Sequence, residues 1–504
     1  MKGMIIKRKT ESEERKAENG ERRTESRLTR SCHWSLFTGH YSHFTILLLA
    51  FLPLMSMAQS VAVDTSAAKL SAQKPIKLYG FIRNYFNYDS RQTVTVCGGE
   101  YLMIPSDEDW SNGNTPLPAN LNLPEGYEAG FDRNAVPQAH FLALSSRFGI
   151  DAAGPELFGA KSSAKLEGDF AGFGTTNTVF RLRLAYAKLT WHREYEHCLG
   201  NALTVRSELL VGQDWHPLSG SIMPDVLGMA AGAPFRPHSR TPQVRWMFYP
   251  TERLGFTAAA LYQYQFTSPG PDGESAKYAN QSIVPELFLG LNYRDGKFYS
   301  QLGVDYSRLT VYDTLGLIHD PSDPTWITIR HKLHCNSFSP TFYFQYNGRK
   351  IHTKFRTTLA QNLAHLNMLS GYALAISDDN LNGVFRPLTS SVTYFNIAYG
   401  TTWRTNLFLG YQKNLGLPDG YTRAMDPTDT YKYIYMKKGI ANINSIYRIA
   451  PSISYNAKAF NIGLEYELTA VTYGDLLPDG TVANNDNLHQ VVNHRICAMV
   501  KYNF

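Results

Sequence analysis

The last eleven residues, HRICAMVKYNF, alternate apolar and polar positions up to Phe504. A β-strand repeats every two residues, so Ile496, Val500 and Phe504 lie on one face and Arg495 and Lys501 on the other. The terminal residues of soluble domains are usually poorly ordered. A final segment with this pattern therefore predicts a strand that completes a closed sheet.

The same alternation recurs in sixteen segments of about 10–15 residues each, which are typical lengths for membrane-spanning strands and their extensions. The predicted strands are 77–88, 139–152, 162–171, 179–193, 201–213, 242–250, 253–266, 282–294, 297–311, 334–346, 350–362, 389–402, 405–413, 444–456, 459–472 and 489–504.

The connections between these strands alternate between tight turns and long loops. Asp295-Gly296 and Asn347-Gly348 are dipeptides that accept the positive φ angles of two-residue hairpins. The long loops include 89–138, 214–241, 312–333, 363–388 and 414–443. Short turns on one side and long loops on the other are typical of an up-and-down antiparallel barrel in an outer membrane. Strand 16 then has to pair with strand 1, because unpaired backbone groups in lipid are costly.

The two faces of the strands support the same fold class. In TVFRLRLAYAKL, alternation predicts Phe180, Leu182 and Leu184 on one face, with Arg181 and Arg183 on the other. A basic side chain on the lipid face costs about 2–4 kcal/mol at mid-membrane, so the arginines are expected to face a wet lumen. The strands of a soluble β-sandwich also alternate apolar and polar residues. A sandwich does not explain sixteen strands whose connections alternate between tight turns and long loops. The predicted fold class is all-β, a transmembrane up-and-down antiparallel β-barrel of about 16 strands.

The composition excludes several other classes of protein. After the first 60 residues, no stretch is apolar over 18 residues, which excludes a helical membrane bundle. The net charge is +6, and residues 1–31 contain ten Lys or Arg against six Glu, which leaves about +2 for the rest of the chain. This charge gives no indication of nucleic-acid binding. The five cysteines are scattered without a CxxC pair, so neither a zinc ribbon nor a dithiol redox motif is predicted.

The N-terminal region contains a predicted targeting segment. HFTILLLAFLPLMSMAQS has an apolar run of about a dozen residues followed by small residues, which predicts a signal peptide over 43–58 with cleavage after Ala58. We interpret the charged extension 1–42 as the result of a start site assigned too far upstream; the alternative is a real cytoplasmic extension, which would have to be unfolded and removed with the signal. Segment 59–76 would then begin the mature protein, and 77–504 would form the barrel in the cell outer membrane.

The end of the chain resembles the C-terminal assembly signal of Gram-negative outer-membrane proteins. Phe504 and Tyr502 are aromatic and Val500 is apolar, as in that signal. With sixteen strands and a signal peptide, the chain looks like a general porin. This resemblance implies passive diffusion of small hydrophilic solutes, a third loop folded inward as a constriction, and a homotrimer. Its expected partners are outer-membrane lipids and the barrel assembly machinery, and no cofactor is expected.

A narrower resemblance rests on two segments. LLVGQDWHPLSGSIMPDVLGMAAGAPFRP, from Leu209 to Pro237, and the opening YGFIRNYF resemble the DcaP-type trimeric porins. The first of these segments runs from strand 5 into the predicted constriction loop 214–241. The long first loop 89–138 exceeds the usual porin pattern.

Charged residues on the inward face are candidates for a solute filter. The basic candidates lie on strands 2, 4, 5 and 6, and they are Arg147, Arg181, Arg183, Arg206 and Arg245. If the third loop enters the lumen, Asp214 and Asp225 are expected to face this basic wall. Opposed charges across a narrow channel would favour small anionic or zwitterionic solutes. Alternatively, the arginines pair locally with Glu167, Asp169 and Glu208 and hold neighbouring strands together.

Other functions have weaker support in the sequence. RHKLHC offers His331, His334 and Cys335 as ligands, but ligands this close in sequence rarely reach tetrahedral geometry without a fourth, so no metal site is predicted. There is no GxSxG motif and no convincing Ser–His pair, so the protein is not expected to be an enzyme. A surface scaffold or adhesin that uses its long loops is the alternative to a channel.

Overall fold

The computed structural model describes residues 76–96, 101–110, 131–143, 145–172, 179–196, 202–219, 222–319, 326–377, 380–424, 429–483 and 486–504. The predicted extension 1–42, the predicted signal peptide 43–58 and all but the last residue of segment 59–76 lie outside these residues. Cys32, Cys97 and Cys198 also lie outside them.

Sixteen strands of the described chain form a closed antiparallel barrel, and the second strand is in two parts. In chain order they are β1 Ile76–Asp89, β2 Gln138–Leu142 with Arg147–Leu157, β3 Ala160–Gly172, β4 Val179–Glu196, β5 Ala202–Trp215, β6 Arg240–Tyr249, β7 Leu254–Leu261, β8 Glu286–Asp295, β9 Phe298–His319, β10 Trp326–Asn347, β11 Ile351–Gln361, β12 Thr389–Gly400, β13 Trp403–Gly416, β14 Ile443–Ala457, β15 Phe460–Tyr473 and β16 His489–Asn503. Each corresponds to one predicted strand, so the predicted fold class is confirmed.

The barrel closes between its first and last strands, as predicted. β1 pairs with β16 from Phe81 opposite Asn503 to Asp89 opposite Arg495. Beyond that ladder, Gly80 and Phe504 exchange two backbone hydrogen bonds, each 3.1 Å long. Pairing along the whole seam removes the free edges that a membrane barrel cannot leave open.

The side chains of β4 alternate between the outer and inner faces as predicted, until the strand register shifts. Phe180 and Leu182 are exposed on the outside, whereas Arg181 and Arg183 are buried inside. Leu184 is only 5% exposed, so its predicted place beside Phe180 and Leu182 is wrong. The pairing of β3 with β4 shifts between Glu167 and Gly168, and an extra residue in one strand reverses the faces beyond it.

The predicted loop 312–333 is largely strand. β9 continues to His319 and β10 begins at Trp326, and these two residues are opposite each other at the end of the ladder. Backbone pairing requires no particular side chain, so apolar alternation does not mark where a hairpin ends.

The long loops contain short elements of their own. They are the strands Thr93–Val96, Tyr101–Pro105, Gly371–Ser377, Asn380–Pro387, Thr422–Arg423, Ile434–Met436, Asp475–Leu476 and Val482–Ala483, the helix α1 Lys277–Asn280, and the 3₁₀ turns Ala364–Leu366 and Lys437–Gly439. In the described chain, no helix has the length and apolar character needed to span a membrane.

Several loops fold into the barrel. One cluster of buried apolar side chains combines the strand residues Tyr85 and Phe408 with the loop residues Met103, Phe235 and Leu366. The first, third and sixth loops, which connect β1 with β2, β5 with β6 and β11 with β12, therefore contribute to the packed interior. Burial of their apolar side chains removes area from water.

Candidate functional site: the lumen and its inward loop

The constriction loop, as the term is used below, comprises the described residues 216–219 and 222–239, which cross the lumen to the opposite wall. It leaves the wall after β5 and returns to β6. Midway along it, the backbone N–H of Asp225 donates to Asn396 Oδ1 of β12 at 2.8 Å. The Asp225 carboxylate pairs with Lys354 of β11 at 2.9 Å and with Arg404 of β13 at 2.7 Å.

Further hydrogen bonds fix the loop to β14 and β15. The backbone N–H groups of Leu227 and Gly228 donate to the two carboxylate oxygens of Glu465, at 2.8 and 3.1 Å. Arg448 donates from Nη1 to the Ala233 carbonyl oxygen at 2.9 Å. Charged strand residues thus satisfy loop backbone groups that would otherwise be buried without partners. These contacts give the loop one defined path through the lumen.

A cavity of about 290 Å³ lies between this loop and the wall formed by β16 and β1 to β4. Residues Val226 to Met229 of the loop line one side of it. The arginine and lysine residues that line it are Arg83, Arg147, Arg181, Arg183 and Lys501. The predicted residues Arg147, Arg181 and Arg183 are therefore brought together, with two further cations that the sequence analysis did not single out.

The three predicted arginines of this cavity form local ion pairs. Arg181 makes a two-point contact with Asp169, at 2.9 and 3.0 Å. Arg183 lies 2.7 Å from both Glu167 and Asp169, and Arg147 lies 3.4 Å from Glu167. These contacts match the alternative hypothesis, in which the arginines pair locally and hold neighbouring strands together.

Arg83 and Lys501 are different, because neither has an ion pair with a carboxylate in the described part of the chain. They are opposite each other on β1 and β16. Both cations lie over the ring of Phe81, at 4.9 and 4.4 Å from its centroid. Five arginine and lysine side chains thus line the cavity while two carboxylates, Glu167 and Asp169, pair with some of them, so its local charge is positive.

This pair of cations could have been found from the sequence. The predicted closure of strand 16 on strand 1 places YGFIRNYF beside CAMVKYNF. Alternation then puts Arg83 and Lys501 on the inner face of both strands. The missing information was the register between the two strands, which sequence alternation leaves open by multiples of two residues.

The remaining predicted residues lie elsewhere in the lumen. Arg206 pairs with Glu208 at 3.2 Å and lines a second cavity of about 410 Å³ near the short turns. Arg245 pairs with Asp214. Asp225 contacts the opposite wall, so the expectation that it faces the predicted arginines is wrong. The loop crosses the full lumen before Asp225 is reached, and that path depends on tertiary contacts.

Three more basic residues, Arg236, His238 and Arg240, are buried where the constriction loop joins β6. Arg236 donates to the carbonyl oxygens of Ala231 and Pro237, at 2.5 and 3.0 Å. Burial lowers its pKa to about 10, so it remains a cation at neutral pH. Burial, with Arg236 and Arg240 nearby, holds the pKa of His238 well below its usual value, so this ring is neutral.

The histidines and cysteine of RHKLHC do not converge. His334 contacts Thr310 Oγ1 through Nδ1 at 2.9 Å, and Cys335 is fully buried. Because consecutive residues of β10 point to opposite faces, these two side chains cannot bind one ion. The side chain of His331 lies outside the described residues.

The residues of the predicted assembly signal lie on the outer face. Val500, Tyr502 and Phe504 are all exposed there. A Cβ atom on Gly80 would lie 2.5 Å from the Phe504 ring, so the ring covers the backbone of β1 at this point. The aromatic terminus thus packs over the seam that closes the barrel.

Sixteen antiparallel strands closed around an inward third loop define a porin-type barrel. No protein-family model matches the sequence, and no curated protein matches it. The outer membrane channel DcaP of Acinetobacter baumannii has a similar structure, with a TM-score of 0.55 at 15% identity, over 87% of this chain and 100% of that one. The predicted resemblance to outer-membrane porins, DcaP among them, is confirmed at the level of the fold.

Two other porins match with lower scores. For OmpT of Vibrio cholerae, folded in vitro, the TM-score is 0.45 at 10% identity, over 87% of this chain and 100% of that one. For an anion-selective porin from Comamonas acidovorans, it is 0.44 at 10% identity, over 85% and 99%.

Proposed function

We propose that the protein is an outer-membrane channel for the passive diffusion of small hydrophilic, anionic solutes. The observation that carries this proposal is the cavity beside the constriction loop, where Arg83 and Lys501 have no carboxylate partner in the described chain. The fold supports it, because one solved structure of similar fold is an outer membrane channel.

The electrostatic argument depends on the shape of the lumen. A low-dielectric wall around a narrow wet passage focuses the field of its charges and raises the local concentration of counter-ions. Ion pairing with Glu167 and Asp169 cancels part of the arginine charge and holds the neighbouring strands of the wall together. The surplus cations, Arg83 and Lys501, remain to attract an anion.

The test is ion selectivity in planar lipid bilayers. We expect the wild-type protein to give a reversal potential that favours anions in a salt gradient. The double variant Arg83→Gln, Lys501→Gln should shift this potential toward cations at 0.1 M salt. The shift should shrink at 1 M salt, where the screening length falls from about 10 Å to about 3 Å.

The control carries the same charge change outside the lumen cavities. Arg349 and Lys350 are exposed in the tight turn between β10 and β11, so Arg349→Gln, Lys350→Gln should leave selectivity unchanged. Equal shifts in both double variants would contradict a specific role for the cavity. A folded barrel that conducts no ions would contradict the channel and favour the surface scaffold.

The outer membrane is the proposed location, and cleavage after Ala58 is the proposed maturation step. The outward face supports the location, since apolar residues such as Leu78, Phe141 and Leu302 are exposed there and lipid would cover them. We propose a homotrimer on the basis of the porin resemblance. Chemical cross-linking in native membranes should then give a ladder that ends at three chains.

A further inference from the structure

Four residues with metal-binding side chains meet inside the barrel, away from the basic cavity. They are His216, Glu286, Asp305 and His365, here called the His–carboxylate cluster. His216 begins the constriction loop, Glu286 begins β8, Asp305 lies on β9, and His365 lies in the turn Ala364–Leu366. All four are buried, and the two histidines are completely so.

The potential ligand atoms lie close to one another. Nε2 of His216 and Nε2 of His365 are each 2.9 Å from the same Glu286 oxygen, Oε1. The Asp305 Oδ1 atom lies 3.7 Å from His216 Nε2. Zinc sites have metal–ligand distances of about 2.0–2.2 Å, so neighbouring tetrahedral ligands are about 3.3–3.6 Å apart. The ligand atoms of His216, Glu286 and His365 all lie within 4.8 Å of one another, so small movements bring these three to this spacing. Asp305 lies near His216 but outside this group of three.

The Glu286 carboxylate contacts the other three side chains of this cluster. Its Oε1 atom accepts hydrogen bonds from both histidines, and a further side-chain hydrogen bond links Glu286 with Asp305. The Leu218 backbone N–H donates to His216 Nδ1 at 3.1 Å, so this ring is neutral with its proton on Nε2. Buried carboxylates are normally paired or bound to a metal.

We propose that the His–carboxylate cluster binds one divalent transition-metal ion, with zinc as the best match. Two imidazole nitrogens and one Glu286 oxygen, with Asp305 as the candidate for the fourth position, suit tetrahedral zinc. Calcium and magnesium prefer shells made of oxygen alone. On binding, the His216 proton moves from Nε2 to Nδ1, and the bond from Leu218 N–H is given up. Residues 216–218 must therefore shift slightly in the bound form.

An ion at this position would join two loops to the wall. His216 belongs to the constriction loop and His365 to the sixth loop, while Glu286 and Asp305 belong to neighbouring strands. The loops already meet there, since His238 N–H donates to the Leu366 carbonyl oxygen at 2.7 Å. The ion would act as a cross-link that holds the constriction loop in place. This inference does not depend on the proposed transport of anions.

Metal content and coordination are the direct measurements. The folded barrel in detergent, stripped with a chelator and then dialysed against micromolar Zn²⁺, should retain about one equivalent per chain. Loading with Co²⁺ should produce the strong visible absorption of tetrahedral coordination. Less than one tenth of an equivalent of zinc, or a Co²⁺ spectrum of an octahedral ion, would overturn the proposal whatever the variants do.

Variants then assign the ligands. The isosteric pair Glu286→Gln, Asp305→Asn should weaken zinc binding at least a hundredfold while the barrel still migrates as a folded species in unboiled gels. His489→Gln is the control, because His489 lies 2.7 Å from Asp107 in a separate, partly exposed His–carboxylate pair. Wild-type affinity in the folded double variant would show that the ion binds elsewhere and would overturn the assignment.

Discussion

At the scale of single residues, Asp169 is the carboxylate that holds two arginines of the cavity wall in position. Its side chain is almost fully buried, and it accepts hydrogen bonds from both Arg181 and Arg183. Removing one partner of a buried ion pair leaves an uncompensated charge, which costs far more than the loss of an exposed pair. Asp169 is therefore a structural residue whose removal would also make the cavity more positive.

We expect Asp169→Asn to lower the free energy of unfolding by about 3–5 kcal/mol and to increase the preference for anions. The control is Asp151→Asn, because Asp151 pairs with Lys165 at 2.6 Å but is much more exposed. Asp151→Asn should lower the free energy of unfolding by less than about 1 kcal/mol. Urea unfolding in lipid vesicles measures both values, and equal losses would contradict the structural role of Asp169.

At the scale of elements, the constriction loop depends on the strands that it touches. Its backbone is bound by Asn396, Glu465 and Arg448, which belong to β12, β15 and β14. Glu465 holds two consecutive N–H groups of the loop, and an unsatisfied buried group costs about 1–3 kcal/mol. The position of the loop is therefore set from the far wall.

Glu465→Ala should release the loop around Leu227 and Gly228. We expect larger and noisier single-channel conductance, because the released segment no longer occupies one position in the lumen. Glu465→Gln, which keeps one acceptor oxygen, should show a smaller effect. Glu156→Ala, at an exposed position near a tight turn, serves as the control, and the same conductance in all three variants would contradict this role for Glu465.

At the scale of the whole molecule, stability depends on closure. β1 and β16 join the two ends of the described chain, and Phe504 covers the seam at Gly80. A barrel that fails to close leaves two rows of unpaired backbone groups in lipid. Closure is therefore the step at which a defect in the last strand affects the entire protein.

Phe504→Asp should reduce the amount of folded protein in the outer membrane at least several-fold, with little change in synthesis. A charge at this exposed position is unfavourable at the edge of the lipid, and the ring that covers Gly80 is lost. Phe504→Tyr, which keeps the ring, should assemble normally. Membrane fractionation with unboiled and boiled gels measures this, and a normal level of folded Phe504→Asp protein would contradict it.

The sequence by itself determined the number of strands, the closure of the barrel and which face of most strands is wet. These properties are local, because a period of two residues and the residues of a tight turn can be read within about ten positions. Where local geometry departs from that period, as at the register shift that turns Leu184 inward, the prediction failed.

Only the tertiary structure decided what lies inside the lumen. The partners of Asp225 are more than 100 residues away in sequence, and the His–carboxylate cluster combines residues from 216 to 365. Such contacts depend on the path of each loop and on the register of strands around the barrel. Neither the path of a loop nor the register of the strands leaves a periodic signal in the sequence. A loop that folds inward and a loop that faces water differ in their contacts and not in a repeated pattern of residues.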